Sequence, residues 1–253
     1  MKQPLVLLHG WAMNAGVWER IMPALEPHFE VMALDLPGYG SDIEFSGSYS
    51  LDAIASEVLS RAPEKANWVG WSLGATIAMK AAILSPDRFL KLQLVSATPR
   101  FLNGPDWQLG VAWEPFESLA RDFEADYDQA IKKFLRLQVL TNDRNQFKKS
   151  RHLIRELIPG LDRSPRPTNQ TLQEGLNILG QTDLRSELSR LSVESQVIAG
   201  QNDHVVPVGA SEYLFRQLPN GHSLHTLPTG HLPFLEATGK YIEESINFMN
   251  SAQ

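Results

Sequence analysis

Short, mostly apolar runs, most of them bounded by Gly, Pro or Asp, recur along the chain at 4–8, 31–34, 67–69, 92–95, 196–199 and 224–227. Such runs suit strands buried on both faces of a parallel sheet. Between them, apolar positions fall at helical spacing over 51–59, 73–84 and 240–249. Strands alternating with amphipathic helices predict an α/β, doubly wound, mostly parallel sheet.

The alternation breaks between about 106 and 184, where the pattern is helical only and includes the connector Ser164-Pro165-Arg166-Pro167. Tyr127, Ile131, Phe134 and Leu135 share one helical face, and Phe147, Leu153, Ile154 and Leu157 share another. A helical segment that interrupts a sheet and then gives way to another strand predicts a cap. The expected division is a core of 1–108 and 184–253 with a helical cap, or lid, over 109–183. No internal repeat or low-complexity tract interrupts it.

With 253 residues and a formal net charge of -6, the chain is long enough for a large core and lacks the overall basic surface that nucleic-acid binding requires. It has no cysteine, so disulfide frameworks and thiolate chemistry are excluded, in keeping with a reducing, cytoplasmic setting. Leu5-Val6-Leu7-Leu8 is too short for a signal-peptide core, and no run approaches the roughly 20 apolar residues of a membrane span. A soluble protein is expected.

The candidate chemistry begins at Gly70-Trp71-Ser72-Leu73-Gly74, between a predicted strand and a predicted helix. Glycines two before and two after a serine relieve crowding in a sharp strand-to-helix turn, so the hydroxyl projects at the carboxyl end of the sheet. Ser72 would then stand at a helix N-terminus, whose free N–H groups favour a developing oxyanion. A serine hydroxyl needs a base, itself oriented by a carboxylate. His231, in Thr229-Gly230-His231-Leu232-Pro233 after the last predicted strand, is best placed; His222 and His225 fall at the start of that strand and within it. Asp203 follows the strand over 196–199, so Ser72, Asp203 and His231 stand in the order nucleophile, acid, base. The oxyanion donors expected are the backbone N–H groups of Leu73 and Trp11, the latter in the His9-Gly10-Trp11-Ala12 loop after the first strand. His9 reads as a hydrogen-bonding support for that loop. No metal-ligand cluster, phosphate loop or dinucleotide fingerprint occurs, so no metal and no cofactor are expected.

Taken together, LLHGW, DLPGYG, GWSLG, GQNDHVVP and GHLPF, in this order, resemble an α/β-hydrolase across almost the whole chain. HGW beside GWSLG, the cap segment Phe134-Leu135-Arg136-Leu137-Gln138, and Gly175-Leu176-Asn177-Ile178-Leu179 are similar to the BioH family, the pimeloyl-acyl-carrier-protein methyl ester esterases of biotin synthesis. The resemblance implies a serine carboxylesterase with Ser72, Asp203 and His231 as triad, Trp11 and Leu73 as oxyanion donors, and Trp11, Trp71 and Phe134 lining the acyl channel. Two departures accompany it. Only three residues precede Pro4 where the family carries an opening hairpin, so about six core strands are expected instead of eight, and the connector over 163–171 is longer than usual.

From 131 to 155 there are eight Lys and Arg residues and one acid, Asp143, within a chain that is acidic overall. Lys148, Arg151 and Arg155 share a helical face turned away from Phe147, Ile154 and Leu157. Such a cluster is either a solvated face or a dock for an acidic carrier. The resemblance implies the dock, formed by Lys133, Lys148, Lys149, Arg151 and Arg155, although one expected basic position holds Gln129. A monomer acting on a small ester is expected. The alternatives are a general short-chain carboxylesterase, another reaction on the same triad such as a carbon–carbon bond hydrolase or lyase, and a non-catalytic protein that binds a small ligand or the carrier.

Overall fold

The computed structural model describes residues 2–42, 47, 49–139 and 144–251, with side chains from 151 onward in the last segment. Six strands, β1 (Gln3–Leu8), β2 (Phe29–Leu34), β3 (Ala66–Trp71), β4 (Phe89–Val95), β5 (Ser195–Gly200) and β6 (Gly221–Leu227), form one sheet in the order β2-β1-β3-β4-β5-β6. Every neighbouring pair is parallel. All six predicted runs are strands, and each observed strand extends its run. The extensions are partly polar, because a backbone ladder does not require apolar side chains.

The polar side chains of β4 show where such residues go. Gln93 donates to Gln196 at 2.6 Å and to Ser245 at 2.9 Å, and accepts from the Tyr241 hydroxyl at 2.8 Å. Lys91 donates to the carbonyls of Phe248 and Ser251, both at 2.9 Å. These paired groups dock the C-terminal helix on the sheet, so their burial leaves no unmatched charge or amide. The expectation of two buried faces holds for β3 and β5 along their length, and for most of β1 and β4. It fails for the edge strands, where Glu30 and Met32 of β2 and His222 and Thr226 of β6 are exposed, since an edge strand has only one covered flank.

The helices are α1 (Met22–Leu25), α2 (Leu51–Arg61), α3 (Leu73–Leu84), α4 (Glu114–Ala125), α5 (Tyr127–Gln138), α6 (Arg144–Leu161), α7 (Asn169–Gln181), α8 (Val208–Gln217), α9 (Pro233–Glu236) and α10 (Thr238–Asn250). α4 to α7 form the insertion between β4 and β5. Asp126 caps α5 by accepting from the Gln129 N–H at 3.1 Å, and Thr168 caps α7 by accepting from Thr171 at 3.1 Å. The stretch from 96 to 113 is irregular instead of helical, with isolated bridges Leu102↔Val111 and Gly104↔Trp107. Pro105 and its neighbouring Gly104 deny a helix there. A charged cluster clamps the chain where it enters and leaves the insertion: Arg185 reaches Asp106 and Asp183, both at 2.7 Å, and Arg100 reaches the same two carboxylates at 3.0 and 3.2 Å.

The strand order reverses at β1, which lies between β2 and β3. The loops after β1 and β3 therefore part, and the crevice at their carboxyl ends is the default ligand site of an open α/β sheet. Both candidate loops, 9–12 and the Ser72 turn, open onto it. No helix among the described residues is long and apolar enough to cross a membrane.

Candidate active site

Ser72 joins β3 to α3 with φ 56° and ψ -118°, a left-handed conformation that a serine adopts only when its surroundings impose it. Here they do. The Ser72 N–H donates to the Val95 carbonyl at 3.0 Å, while its own carbonyl accepts from Ala75 and Thr76 at 2.9 and 3.1 Å. The flanking glycines serve close approach and not their own torsions. A β-carbon at Gly70 would stand 2.6 Å from the Ala75 α-carbon, and one at Gly74 would stand 2.5 Å from the carbonyl oxygens of Leu8 and His9. Any side chain at either position would push α3 off the sheet. The turn thus holds Ser72 half-buried at the first turn of α3, and Leu73, as the first helical residue, has an N–H with no intrahelical acceptor.

His231 and Asp203 are brought together as a buried pair. His231 Nδ1 lies 2.7 Å from Asp203 Oδ2, with both side chains about 1 % exposed. The other Asp203 oxygen accepts from the backbone N–H groups of Val205 and Val206, both at 2.8 Å, so the carboxylate is fixed at each end. With Nδ1–H donating to Asp203, Nε2 is left as the basic nitrogen. Two further contacts fix the turn. The His231 N–H donates to the Gln138 carbonyl at 2.7 Å, and the His231 carbonyl accepts from Trp71 Nε1 at 2.8 Å. Among the described residues no hydrogen bond joins Ser72 Oγ to His231; Trp71 links the two, since its backbone leads into Ser72 and its indole holds the histidine.

Trp71 therefore does more than the sequence reading gave it. Its ring packs against Trp18, His231 and Phe234, with centroids 6.4, 5.5 and 5.2 Å away, which makes it a support beneath the histidine. Trp11 and Phe134 meet edge to face at 5.1 Å, with Phe123 on the other side of Trp11 at 5.4 Å. Trp11 Nε1 donates to the Leu172 carbonyl at 2.8 Å, so this core residue is gripped by α4, α5 and α7 of the insertion. Gly10 lies against the Trp71 ring and Ser72 Cβ, which sets the loop after β1 beside the turn.

His9 is fully buried. Its Nε2 accepts from the Leu36 N–H at 2.9 Å, so Nδ1 carries the proton and donates to the Gly10 carbonyl at 2.8 Å. Burial lowers its pKa to about 4, against the opposing pull of the Gly10 carbonyl. It is a neutral brace for the loop, as its position suggested. His222 and His225 face Glu194 and Glu244 along β6, away from Asp203.

The basic residues of the insertion divide. Arg151 and Arg155 are exposed on α6 while Ile154 and Leu157 are buried, in agreement with the predicted faces. Lys133 is exposed but paired with Asp122 of α4, which reduces the charge it offers a partner. Lys148, Lys149 and Phe147 have side chains outside the described residues. Among the described residues no group of three or more His, Asp or Glu converges as a metal site. Sequence reading missed Gln138, whose carbonyl holds His231 and whose buried amide has no hydrogen-bond partner among the described residues. It also missed Glu236, which accepts from the Gly230 N–H at 3.0 Å. Neither could be seen in spacing alone, because Gln138 acts on a turn far along the chain and Glu236 folds back from α9 onto the loop just before it.

Residues 3–238 match the family model for the alpha/beta hydrolase fold. The chain is 36 % identical to a pimeloyl-acyl-carrier-protein methyl ester esterase of Methylococcus capsulatus, covering 96 % of this chain and 94 % of that one. It is 34 % identical to the protein of the same name from Nitrosomonas europaea, covering 94 % and 92 %. Among solved structures, an esterase from Exiguobacterium antarcticum superposes with a TM-score of 0.84 at 23 % identity, over 98 % of this chain and 92 % of that one, which is a likeness of fold.

Two outcomes follow from this geometry. Gly74→Ala places a methyl group against two backbone carbonyls and should lower stability by about 3 kcal/mol, read as a fall in melting temperature; a melting temperature unchanged from wild type contradicts the close approach. The imidazole of His9 should keep its neutral, Nδ1-protonated NMR signature from about pH 8 down to pH 5. Its folded pKa lies below the unfolded value of 6.5, so its contribution is present above that value and is lost as pH falls through about 4. Protonation of His9 near pH 6.5 in the folded state would refute the brace.

Proposed function

The chain belongs to the α/β-hydrolase family and, within it, to the family of the pimeloyl-acyl-carrier-protein methyl ester esterases, and from that membership we propose that it is a serine carboxylesterase of the carrier-bound pimeloyl methyl ester. The observation that carries the chemistry is the buried His231–Asp203 hydrogen bond, which sets the tautomer a general base requires, on the loop that Trp71 ties to Ser72.

In this reading the Ser72 oxygen adds to the ester carbonyl as His231 Nε2 takes the hydroxyl proton. The negative charge that develops on the carbonyl oxygen is held by the N–H groups of Leu73 and Trp11. The carbon–oxygen bond to the alcohol breaks as His231 returns the proton to the leaving oxygen, releasing methanol. Water then adds to the acyl-enzyme with His231 again as base, and collapse restores the Ser72 hydroxyl and frees the carboxylic acid. Asp203 holds the ring and stabilises the transient imidazolium. Binding is apolar along Trp11 and Phe134, where two aromatic rings suit a methylene chain. The unpartnered Gln138 amide supplies a polar contact that a bound ester or an ordered water would complete.

The helices between 109 and 183 act as a cap, in this reading, and the exposed Arg151 and Arg155 contribute a cationic face to an acidic carrier protein. Lys148 and Lys149, whose side chains lie outside the described residues, belong to the same proposed dock, whereas Lys133 contributes less because Asp122 already engages it. Long-range attraction of this type acts mainly on association and is screened by salt.

Ser72→Ala should abolish hydrolysis of every ester, and residual activity in a pure variant would contradict the triad. For substrate class, kcat/KM for a methyl pimeloyl-carrier ester should exceed that for a free methyl ester at least about tenfold at low salt, with most of the advantage lost at about 0.5 M salt. Arg151→Glu with Arg155→Glu should remove the same advantage. Equal rates for the two esters, insensitive to salt, would leave a general short-chain carboxylesterase.

A further inference from the structure

We propose that Glu236 is a positioning residue for His231, its carboxylate holding the Gly230 N–H on one side of the histidine while its backbone N–H holds the Leu232 carbonyl on the other. This rests on the reading of His231 as the general base. Gly230 N–H donates to Glu236 Oε1 at 3.0 Å, and the backbone N–H of Glu236 donates to the Leu232 carbonyl at 2.9 Å. His231 lies between those two partners, so one residue spans the turn that carries the proposed base.

No cation is bound to this carboxylate among the described residues. α9 packs against β5, α6 and α10. β5 carries no charged residue. α6 turns Arg151, His152, Arg155 and Glu156 to solvent, and the nearest base of α10, Lys240, is exposed and engaged by Glu243 and Glu244. The charge that acts on Glu236 is Asp203, the partner of His231 itself. Burial raises the Glu236 carboxyl to about 7; backbone hydrogen bonding at Gly230 and Leu232 opposes that rise, and Asp203 adds to it. Glu236 is therefore neutral below that pH and ionised above it. An ionised acceptor holds N–H donors about twice as strongly as a neutral one, so the turn is gripped more firmly as pH rises through neutrality.

The test compares wild type with Glu236→Gln and Glu236→Ala in the full-length chain, measuring kcat and KM for a free ester at each pH, with melting temperature as the control for folding. The amide introduced by Glu236→Gln would resemble the protonated carboxyl in shape and charge, so the wild-type to Glu236→Gln ratio of kcat should be close to one at about pH 5.5. The ratio should rise to roughly three- to tenfold at about pH 8.5, with its midpoint near 7 and KM within about twofold. Glu236→Ala should lower kcat by at least about tenfold at high pH, and Glu236→Gln should restore part of it. A ratio that stays flat from acid to alkaline pH, or a change confined to KM or to melting temperature, overturns the proposal. If wild-type hydrolysis survives Ser72→Ala, the triad reading fails and this role fails with it; a flat ratio in an enzyme that Ser72→Ala silences removes the role of Glu236 alone.

Discussion

The structure turns on the backbone reversal at Ser72. A residue with φ 56° between a fully buried strand and a helix is strained by about 1–3 kcal/mol, and it persists only where its neighbours leave no alternative. β3 and α3 meet so closely at this point that Gly70 and Gly74 have no space for a β-carbon. The Val95 carbonyl of the adjacent strand takes the Ser72 N–H, so the sheet itself pins the strained residue. The same geometry presents the first free N–H of α3 beside the hydroxyl. The proposed nucleophile and its proposed oxyanion donor are thus consequences of one turn.

The proposed base is held by a different logic. His231 lies in a loop, and a loop has no ladder to fix it, so its position depends on contacts from four separate parts of the chain. Asp203 holds the ring, Trp71 the carbonyl, Gln138 the N–H, and Glu236 the flanking backbone. Gln138 belongs to α5 of the insertion, so a helix that also carries the aromatic lining is bonded directly to the base. Trp11 makes the reciprocal link, running from the loop after β1 into the helices above it. The core and the insertion are consequently joined by buried hydrogen bonds at the site, in addition to the charged clamp around Arg100 and Arg185.

Much of this was legible in the sequence because it depends on local rules. Mostly apolar runs marked the six strands, and helical spacing gave α3 with its observed bounds and the buried face of α5. The Ser72 turn could be read from its glycines, and the His231–Asp203 pair from strand ends and order. What stayed hidden depends on long-range folding. The start of β4 looked unlike a strand because Lys91 finds its partners more than a hundred residues away. Trp71 looked like a wall of the channel, whereas its indole N–H reaches a carbonyl 160 residues on. Glu236 looked like any helical glutamate, since nothing in its neighbours announces that it turns back on Gly230.

In the proposed enzyme the Ser72 turn, with His231 and Asp203 assembled beside it, produces one activated hydroxyl. Incubation with a fluorophosphonate, followed by peptide mapping by mass spectrometry, tests it most directly, because such a probe reacts with an activated serine and spares ordinary ones. The account predicts a single adduct on Ser72 in the wild-type chain, with labelling greatly slowed when Asp203 is replaced by alanine. An adduct on another serine, or a folded protein that remains unlabelled, would contradict it.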